Sequence, residues 1–420
     1  MNEITTLYEN KPSVVMQTLE KLGWVKFFNP AIKGQVSFLP RGTVVFNLMS
    51  DFLKSWVKTK LSSLEIRTPI LYDFLNPSIY SESSQFKDRS FQTEVYEKTA
   101  VLRPGGDYGV MSLLSSKIIH ESHLPISLFE LALSFRKNQS RELAGILRAN
   151  VFTLLDQHTF AANIEQAWEV YASALASQVK LGELFNFDIE VSFDIESTFY
   201  QQNKSSIKKL EQLINKEVVI NEIKEISNYW IAQHYLIDKR DNIGFCDGQY
   251  DLFNAKNYNI SFTSLDGKTT LYPIICHASF GSIERWIFKL VNTSISSNGY
   301  TFPIWLSPVQ IRLLCAKPIQ TSYLEKIITH AFKNGIRLEI DNRDKSLRDK
   351  INAAQAEWVP FIVILSENFY DLESNVTVIY LNNQQEERSL LSIFEKVENS
   401  RVNDYLLPDL QSVISRPCLR

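Results

Sequence analysis

The chain has 420 residues, of which 45% are hydrophobic and 22% charged, with a formal net charge of −3. This balance is typical of a globular protein, and the length favours two or three domains. The charge argues against a generally basic nucleic-acid binder, although a local basic stripe could still contact RNA.

The cysteine pattern and the N-terminus exclude further classes. The four cysteines show no C-x-x-C spacing, so neither a disulfide framework nor a cysteine-rich zinc site is indicated. The first residues lack the charged-then-apolar pattern of a signal peptide, and no apolar run approaches membrane-spanning length. We therefore expect a cytoplasmic protein that does not associate with a membrane.

The first third of the chain predicts a helix and then a hairpin. Residues 46–60 have helical spacing and precede SSLEIRTPILYDF, a short β-type run that contains Pro69. Residues 97–160 predict a strand, a Gly-Gly turn and a helix, followed by two β runs joined by the polar loop KNQSRELAGI. Two β runs with such a loop favour an antiparallel pair.

The remaining segments predict two architectures. Residues 161–184 predict a helix, 250–277 short strands, and 281–297 another helix. A Gly/Pro/Ser cluster around 297–306 indicates a domain boundary, beyond which strands alternate with helices and favour a mostly parallel sheet. We therefore expect an α+β protein with domains at residues 1–298 and 299–420.

Three places concentrate residues that packing alone explains poorly. Arg136 and Arg148 lie on the two sides of the predicted hairpin, and Phe152 follows, which suits phosphate and base binding. Surface arginines in cross-strand ion pairs are the simpler interpretation of the residue types alone. Arg285 lies at a helix start that begins with Gly281-Ser282, a candidate anion site, although an ordinary serine cap explains it equally.

The third place is a set of metal-ligand residue types. Two histidines and one carboxylate, His158, His277 and Asp107, can hold zinc with an open position. Their spacing gives no support, and by themselves they are better explained as packed histidines and a turn aspartate.

Taken in order, these segments resemble the class II aminoacyl-tRNA synthetases, and within them the archaeal-type threonyl-tRNA synthetases. The resemblance covers roughly residues 20–420 and rests on three ordered motifs and a C-terminal domain. Its segments are SLEIRTPILYDF, SFRKNQSRELAGILRANVFTLLDQHTF, ICHASFGSIERWIFKLV, FPIWLSPVQIRLL, GIRLEID, VPFIVIL and the tail DLQSVISRP. It implies an antiparallel-sheet catalytic domain, an α/β anticodon-binding-like domain, and a homodimer built through the first motif.

The resemblance also assigns roles at the ATP and amino-acid sites. It implies that Arg136 binds the α-phosphate of ATP and the substrate carboxylate, and that Phe152 stacks on adenine. Arg285 would bind the γ-phosphate, with Arg148 beside the phosphates and magnesium as the counter-ion. Asp156 would accept a hydrogen bond from the amino or hydroxyl group of the substrate.

The metal site departs from the family pattern. The resemblance makes His158 and His277 two of three zinc ligands, and Asp107 stands where the family has a cysteine. An aspartate keeps the formal charge, and a site of two histidines and one carboxylate is chemically sound for zinc. Alternatively the metal is absent, and Asp107 pairs directly with the substrate ammonium.

Two further departures affect the ATP site. Asn138 replaces a family glutamate that accepts a hydrogen bond from the adenine amino group, and an amide oxygen can still accept one. Residues 246–253, CDGQYDLF, match the family's active-site strand only loosely. These departures favour altered specificity, reduced activity, or both.

The resulting prediction is ATP-dependent activation of an amino acid, threonine first, and transfer to tRNA. Only about 35 residues precede the catalytic-like part, so we expect no editing domain. The alternatives are a paralog that activates an amino acid for a different acceptor, and a non-catalytic regulatory or binding subunit.

Overall fold

The computed structural model describes residues 13–27, 31–226, 229–315, 320–365 and 369–401. The chain forms two compact units. The smaller unit contains the described residues within Met1–Met49, Ala144–Leu147 and Ile287–Tyr405, and the larger unit those within Ser50–Leu143 and Arg148–Trp286. The boundary between residues 298 and 299 stays a prediction, and the tail DLQSVISRP lies outside the described residues.

The elements are numbered in chain order. The helices are α1 Val14–Lys21, α2 Pro40–Leu61, α3 Pro77–Gln85, α4 Asp107–Ser115, α5 Ile164–Leu184, α6 Ser197–Ile214, α7 Asn254–Asn257, α8 Ile283–Ser294, α9 Thr321–Lys333, α10 Leu347–Ala356 and α11 Leu390–Asn399. The first strands are β1 Val25–Lys26, β2 Ser37–Phe38, β3 Leu64–Glu65, β4 Leu71–Asp73, β5 Phe91–Val95, β6 Lys98–Leu102, β7 Ile119–His120, β8 Ile126–Phe135, β9 Val151–Ala161, β10 Ile189–Glu196 and β11 Val218–Ile223. The later strands are β12 Trp230–Asp238, β13 Ile243–Asp251, β14 Phe262–Thr263, β15 Thr270–Leu271, β16 Ile274–Ser282, β17 Ile311–Cys315, β18 Leu338–Asp341, β19 Phe361–Leu365, β20 Asn375–Tyr380 and β21 Gln385–Ser389.

An eight-stranded sheet forms the frame of the larger unit, in the order β11-β10-β12-β13-β16-β9-β8-β3. Neighbours from β10 to β8 are antiparallel, and only the two edge pairs are parallel. The β8–β9 pair is the hairpin predicted from the sequence. The expected α+β architecture with an antiparallel catalytic-type sheet is therefore confirmed.

One face of this sheet carries a hydrophobic core that fixes the position of α4. Tyr108 and Met111 of α4 pack with Leu128 and Phe160 from β8 and β9, and all four are at most 1% exposed. Burial of such side chains contributes about 1.5–3 kcal/mol each. The first turn of α4 is therefore held against the hairpin.

The smaller unit contains a five-stranded sheet in the order β18-β17-β19-β20-β21. The pairs β17–β18 and β17–β19 are parallel, as the alternation of strands and helices predicts, but β20 and β21 are antiparallel. The prediction of a mostly parallel sheet is thus right for three strands. It is wrong for the rest, because a short hairpin rather than a helix joins β20 to β21.

Several local predictions are confirmed, and one is corrected. The helices predicted at 46–60, 161–184 and 281–297 correspond to α2, α5 and α8. The run around Pro69 is two strands, β3 and β4, with Pro69 between them, because proline cannot donate to a strand ladder. Within the described residues, no helix is long and apolar enough to cross a membrane.

Candidate active site

Asp107 is the first residue of α4 and follows a Gly-Gly turn. It is buried, and the amino end of a helix favours a negative charge at this position. Gly105 packs closely against it, since a Cβ on Gly105 would lie only 2.8 Å from Asp107 Oδ2. The turn therefore has no room for a side chain at position 105 unless Asp107 moves.

Two histidines contact the other carboxylate oxygen of Asp107, Oδ1. His158 on β9 and His277 on β16 are directly paired across the two strands. Asp107 Oδ1 lies 3.2 Å from His158 Nε2 and 3.1 Å from His277 Nδ1. One ligand atom from each of the three residues lies within 4.8 Å of the others. Fold geometry thus brings together three residues that sequence spacing left unconnected, in an arrangement that could hold a metal ion.

The charges of this cluster depend on one another. Burial alone would raise the pKa of Asp107, but hydrogen bonds with His158 and His277 hold it well below its usual range. Burial alone would lower the pKa of His277, but Asp107 and Asp251 raise it to about 10. Without a metal, the cluster is therefore a carboxylate and an imidazolium at neutral pH.

Asp251, at the end of β13, is a member of the site that the sequence analysis missed. Its Oδ2 lies 3.0 Å from His277 Nε2, and its Oδ1 accepts hydrogen bonds from the Phe253 and Asn254 backbone amides. Asp251 is 0% exposed. A carboxylate that accepts from the outer nitrogen of a ligand histidine fixes the ring orientation. The alternation Asp247, Gln249, Asp251 along β13 was the available signal.

Asp156 and Arg136 also lie beside Gly105. A Cβ on Gly105 would lie 3.3 Å from Asp156 Oδ2 and 4.0 Å from Arg136 Nη2. Asp156 accepts a hydrogen bond from the Gly106 amide at 2.9 Å, and Arg136 donates to the Pro104 carbonyl at 2.9 Å. Two carboxylates and one guanidinium therefore lie around the Gly105–Gly106 turn.

Arg136 also contacts Phe152, whose ring centroid lies 5.2 Å from the guanidinium carbon. Arg148 instead bonds within the loop, to Glu142 at 3.2 Å and to Asn138 Oδ1 at 3.3 Å. The Asn138 side-chain amide donates to the Ala149 carbonyl at 2.9 Å. The oxygen predicted to accept from adenine is thus already engaged by Arg148.

Arg285 lies in the first turn of α8, which directly follows β16. Its amide donates to Ser282 Oγ, its Nη1 donates to the Gly244 carbonyl, and its buried Nε has no partner among the described residues. Burial lowers the pKa of Arg285, and the positive charges of Arg136 and Arg148 lower it further. Three guanidinium groups thus act on one another, as expected of a polyanion site.

Asp247 is a second acidic residue that the sequence analysis missed. It lies on β13, and burial together with the charge of Asp156 raises its pKa to about 6, against the opposing effect of Arg136 and Arg285. A carboxyl group that interacts with Asp156, Arg136 and Arg285 together can hold a cation or a hydroxyl group. Its signal was again the polar alternation of β13.

Comparison with known proteins gives the class of the fold. Residues 90–293 match the family described as tRNA synthetase class II core domain (G, H, P, S and T), and residues 308–400 match the anticodon binding domain. The crystal structure of the RNA binding domain of threonyl-tRNA synthetase from Cryptosporidium parvum is similar with a TM-score of 0.80 and 18% identity, over 94% of this chain and 99% of that one. Prolyl-tRNA synthetase from the same organism is similar with a TM-score of 0.70 and 12% identity, over 92% and 76%. The chain is thus similar to class II aminoacyl-tRNA synthetases over both matched regions and in its fold.

Relatives of the chain by sequence include archaeal threonine–tRNA ligases. The chain is 27% identical to the ligase of Methanocaldococcus jannaschii over 391 residues, which is 88% of this chain and 62% of that protein. It is 28% identical to the ligase of Thermococcus sibiricus over 443 aligned positions, or 100% of this chain and 69% of the relative. The chain thus spans about three fifths to two thirds of the length of these relatives.

Proposed function

We propose that this protein activates a small amino acid with ATP, as an aminoacyl adenylate, and passes it to tRNA. The observation that carries the proposal is the set of charged side chains around Gly105. Its two carboxylates, Asp107 and Asp156, suit a substrate ammonium, and Arg136 suits the substrate carboxylate. An amino-acid zwitterion is the ligand that such a charge pattern fits. Threonine is the first candidate, because the archaeal relatives are named threonine–tRNA ligases.

The activation step needs orientation and charge stabilisation more than proton transfer. The ionised carboxylate of the substrate attacks the α-phosphorus of ATP, the bond to the β-phosphate oxygen breaks, and pyrophosphate leaves. Arg136 and Arg285 stabilise the charge that develops on the phosphates, and Phe152 stacks on adenine. Magnesium would neutralise the charge of the leaving pyrophosphate. Arg148 and Asn138 border the nucleotide through the hairpin loop.

A metal at Asp107, His158 and His277 fits the donors present. The nitrogen and oxygen atoms converge on one point, and Asp251 orients the His277 ring from behind. Zinc bound there would supply a Lewis acid for the amino and hydroxyl groups of the substrate. That arrangement disfavours valine, which lacks the hydroxyl, far more than a size test could. In the metal-free alternative, Asp107 binds the ammonium directly.

The acceptor is the second part of the proposal. The match of residues 308–400 to an anticodon binding domain supports tRNA. A different acceptor is a second candidate, and a specific observation favours it. Basic side chains of the smaller unit are paired internally, Arg343 with Asp341, Arg388 with Glu386, and Arg312 with Glu339. Paired arginines offer less charge to phosphates than free ones.

Pyrophosphate exchange with each amino acid in turn tests the proposal. Exchange with threonine supports the leading assignment, and no exchange with any amino acid refutes activation and leaves a binding subunit. Aminoacylation of tRNA by the same preparation separates the acceptors, since exchange without charging supports the different acceptor. The homodimer and the cytoplasmic location stay predictions, and size-exclusion chromatography with light scattering measures the first.

A further inference from the structure

Arg103 is a buried arginine that the activation chemistry does not use. It lies between β6 and α4 and is 2% exposed. Its Nη1 donates to Glu130 Oε2 on β8 at 2.8 Å, and its Nε donates to the Leu133 carbonyl on the same strand at 3.0 Å. Two bonds from one planar guanidinium therefore hold the chain before the Gly-Gly turn against β8.

Thr68, in the segment between β3 and β4, closes this network. Its amide donates to Glu130 Oε1 at 3.0 Å, and its hydroxyl donates to Glu130 Oε2 at 2.7 Å. The hydroxyl oxygen also accepts from Arg103 Nη1 at 2.8 Å. The same hydroxyl lies against α4, because a Cβ on Gly109 would lie 1.9 Å from Thr68 Oγ1. Gly109 is two residues after Asp107, so the network contacts the helix turn that carries Asp107.

The backbone around Arg103 connects the network to Arg136. The Phe135 amide donates to the Arg103 carbonyl at 2.9 Å, and Arg136 Nε donates to the Pro104 carbonyl at 2.9 Å. Arg103 thus holds two segments together, of which one continues to Asp107 and the other ends at Arg136. These segments carry the charges proposed for the ammonium and the carboxylate of the substrate.

Glu130 lies beside a further charge of the site. It pairs directly with Asp156 across the β8–β9 ladder, so both carboxyl groups lie on one face of the sheet. Like charges directly opposite each other are destabilising. Because Arg103 pairs with Glu130, the negative charge beside Asp156 is compensated.

Stability alone is a weak reason for such an ion pair. A buried ion pair is often no more stabilising than hydrophobic side chains of similar volume, because both charges lose their water. A planar guanidinium fixes orientation, however, and a displacement of about 1 Å in an active site can lower a rate about 100-fold. The physical effect of the network is therefore to hold Asp107, Asp156 and Arg136 at a fixed separation.

We propose that Arg103 is a positioning residue that, with Glu130 and Thr68, sets this separation and so restricts the site to α-amino acids. In an α-amino acid the ammonium and the carboxylate are on the same carbon atom, whereas in a β-amino acid they are one carbon further apart. A site whose charges cannot move accepts the first spacing and rejects the second. The inference rests on the proposed function, because it names the residue that defines the substrate class of the same site.

Pyrophosphate exchange with an α-amino acid and with its β-amino isomer tests the inference. For threonine, the first candidate, the isomer is 3-amino-2-hydroxybutanoate, in which the ammonium and hydroxyl groups exchange places. If another α-amino acid exchanges faster, its own β-amino isomer is used. We expect the unaltered protein to prefer the α-amino acid by about 100-fold or more in kcat/KM. Arg103→Lys keeps a charge for Glu130 but loses the fork, and it should lower this preference by about tenfold or more.

A milder variant and a matched control complete the test. Thr68→Val removes the hydroxyl but keeps the shape of the side chain and the pair of Arg103 with Glu130. It should lower the preference by about threefold or more, with KM for ATP within about twofold. Arg312→Lys is the control, because Arg312 is 3% exposed and pairs with two glutamates of the smaller unit. It should lose stability without a change in the preference.

The outcomes separate the inference from the proposed function. If Arg103→Lys and Thr68→Val lower stability but leave the preference unchanged, their role is structural only, which overturns the inference and leaves amino-acid activation intact. An unaltered protein that does not prefer the α-amino acid over its isomer also overturns it.

If no amino acid supports exchange, activation is refuted, and calorimetric titration with threonine and its isomer decides the inference. A preference for threonine that weakens in Arg103→Lys supports it, and equal affinities or no binding overturn it. If Arg103→Lys does not fold, Thr68→Val decides by the same measurements.

Discussion

His158 and His277 are directly paired on neighbouring antiparallel strands, with ring centroids 4.7 Å apart, and both contact the same oxygen of Asp107. Two strands far apart in the sequence therefore deliver two imidazoles to one carboxylate. A site of this kind tolerates little movement, because the ladder hydrogen bonds fix both Cα positions. The chemistry of the site is set by the third residue, Asp107, which stands where the resemblance implies a cysteine.

Replacement of Asp107 tests the metal site. Asp107→Asn removes the anionic ligand and should lower zinc affinity by at least about tenfold, whereas Asp107→Cys should restore tight binding and strengthen selection of threonine over valine. Metal content by mass spectrometry and the absorption spectrum of the cobalt-loaded protein measure both effects. Asp88→Asn, at an exposed aspartate, is the matched control. Unchanged zinc content in Asp107→Asn would show that Asp107 is not a ligand.

Asp251 is a positioning residue, and its replacement should act through His277. Asp251→Asn should lower metal affinity about 10- to 100-fold while leaving the three proposed ligands in place. Titration with zinc against a competing chelator gives the affinity. If Asp251 has only a structural role, Asp251→Asn will reduce stability but leave the metal affinity of the folded protein unchanged. That result would contradict the prediction.

The metal-free protein should lose stability at alkaline pH. The folded-state pKa of His277 is raised to about 10 from an ordinary value of 6.5, so its contribution is complete below about pH 6.5 and is lost as the pH rises through about 10. Urea unfolding in the presence of a chelator, between neutral pH and pH 10, measures this slope. Asp251→Asn should flatten it, because that variant removes one of the two carboxylates that raise the pKa.

One methyl group at Gly105 should displace the charged side chains around it. Gly105→Ala would place a Cβ 2.8 Å from Asp107 Oδ2 and 3.3 Å from Asp156 Oδ2. We expect KM for the amino acid to rise by about tenfold or more, with KM for ATP within about twofold, since the two carboxylates proposed for the substrate ammonium must move to admit the methyl group. Gly244→Ala is the control, because its Cβ would meet only the Leu236 carbonyl at 3.8 Å. Equal changes in both KM values would contradict the assignment.

Arg136 and Arg285 should affect the chemical step rather than binding alone. Arg136→Lys keeps the charge but loses the planar fork, and it should lower the exchange rate about 100-fold or more. Arg285→Lys should have a similar effect. Arg240→Lys, at an arginine paired with Asp238, is the control. A change confined to KM for ATP would assign these residues to ground-state binding only.

Local patterns predicted the elements that carry the site. The hairpin of β8 and β9 followed from two β runs around a polar loop, and α8 followed from apolar spacing after Gly281-Ser282. The convergence of Asp107, His158 and His277 followed only from the resemblance, because strand pairing across the sheet leaves no trace in their spacing. The same reason explains why the order of the eight strands was not predicted.

Asp251 and Asp247 were missed for a related physical cause. Asp251 is buried and Asp247 partly buried, and each owes its role to residues of other strands or helices. In the sequence, Asp251 is only an acidic residue at the end of a predicted strand. The pairing of β13 with β16 in the structure shows that its side chain contacts His277. Arg148 was placed beside the phosphates, but its partners Glu142 and Asn138 lie within its own loop. Side-chain pairing inside a loop cannot be deduced from residue types.

The carboxylate at position 107 affects how the candidate metal site responds to oxidants. A cysteine ligand can be converted by peroxide to a sulfenic acid and beyond, which releases its metal. Asp107 cannot undergo that reaction, and the two thiols nearest in sequence to the site residues, Cys246 and Cys276, are buried. Burial also raises the pKa of both thiols, which keeps them in the unreactive protonated form. The proposed amino-acid activation should therefore persist during peroxide exposure that inactivates a relative with a sulfur ligand.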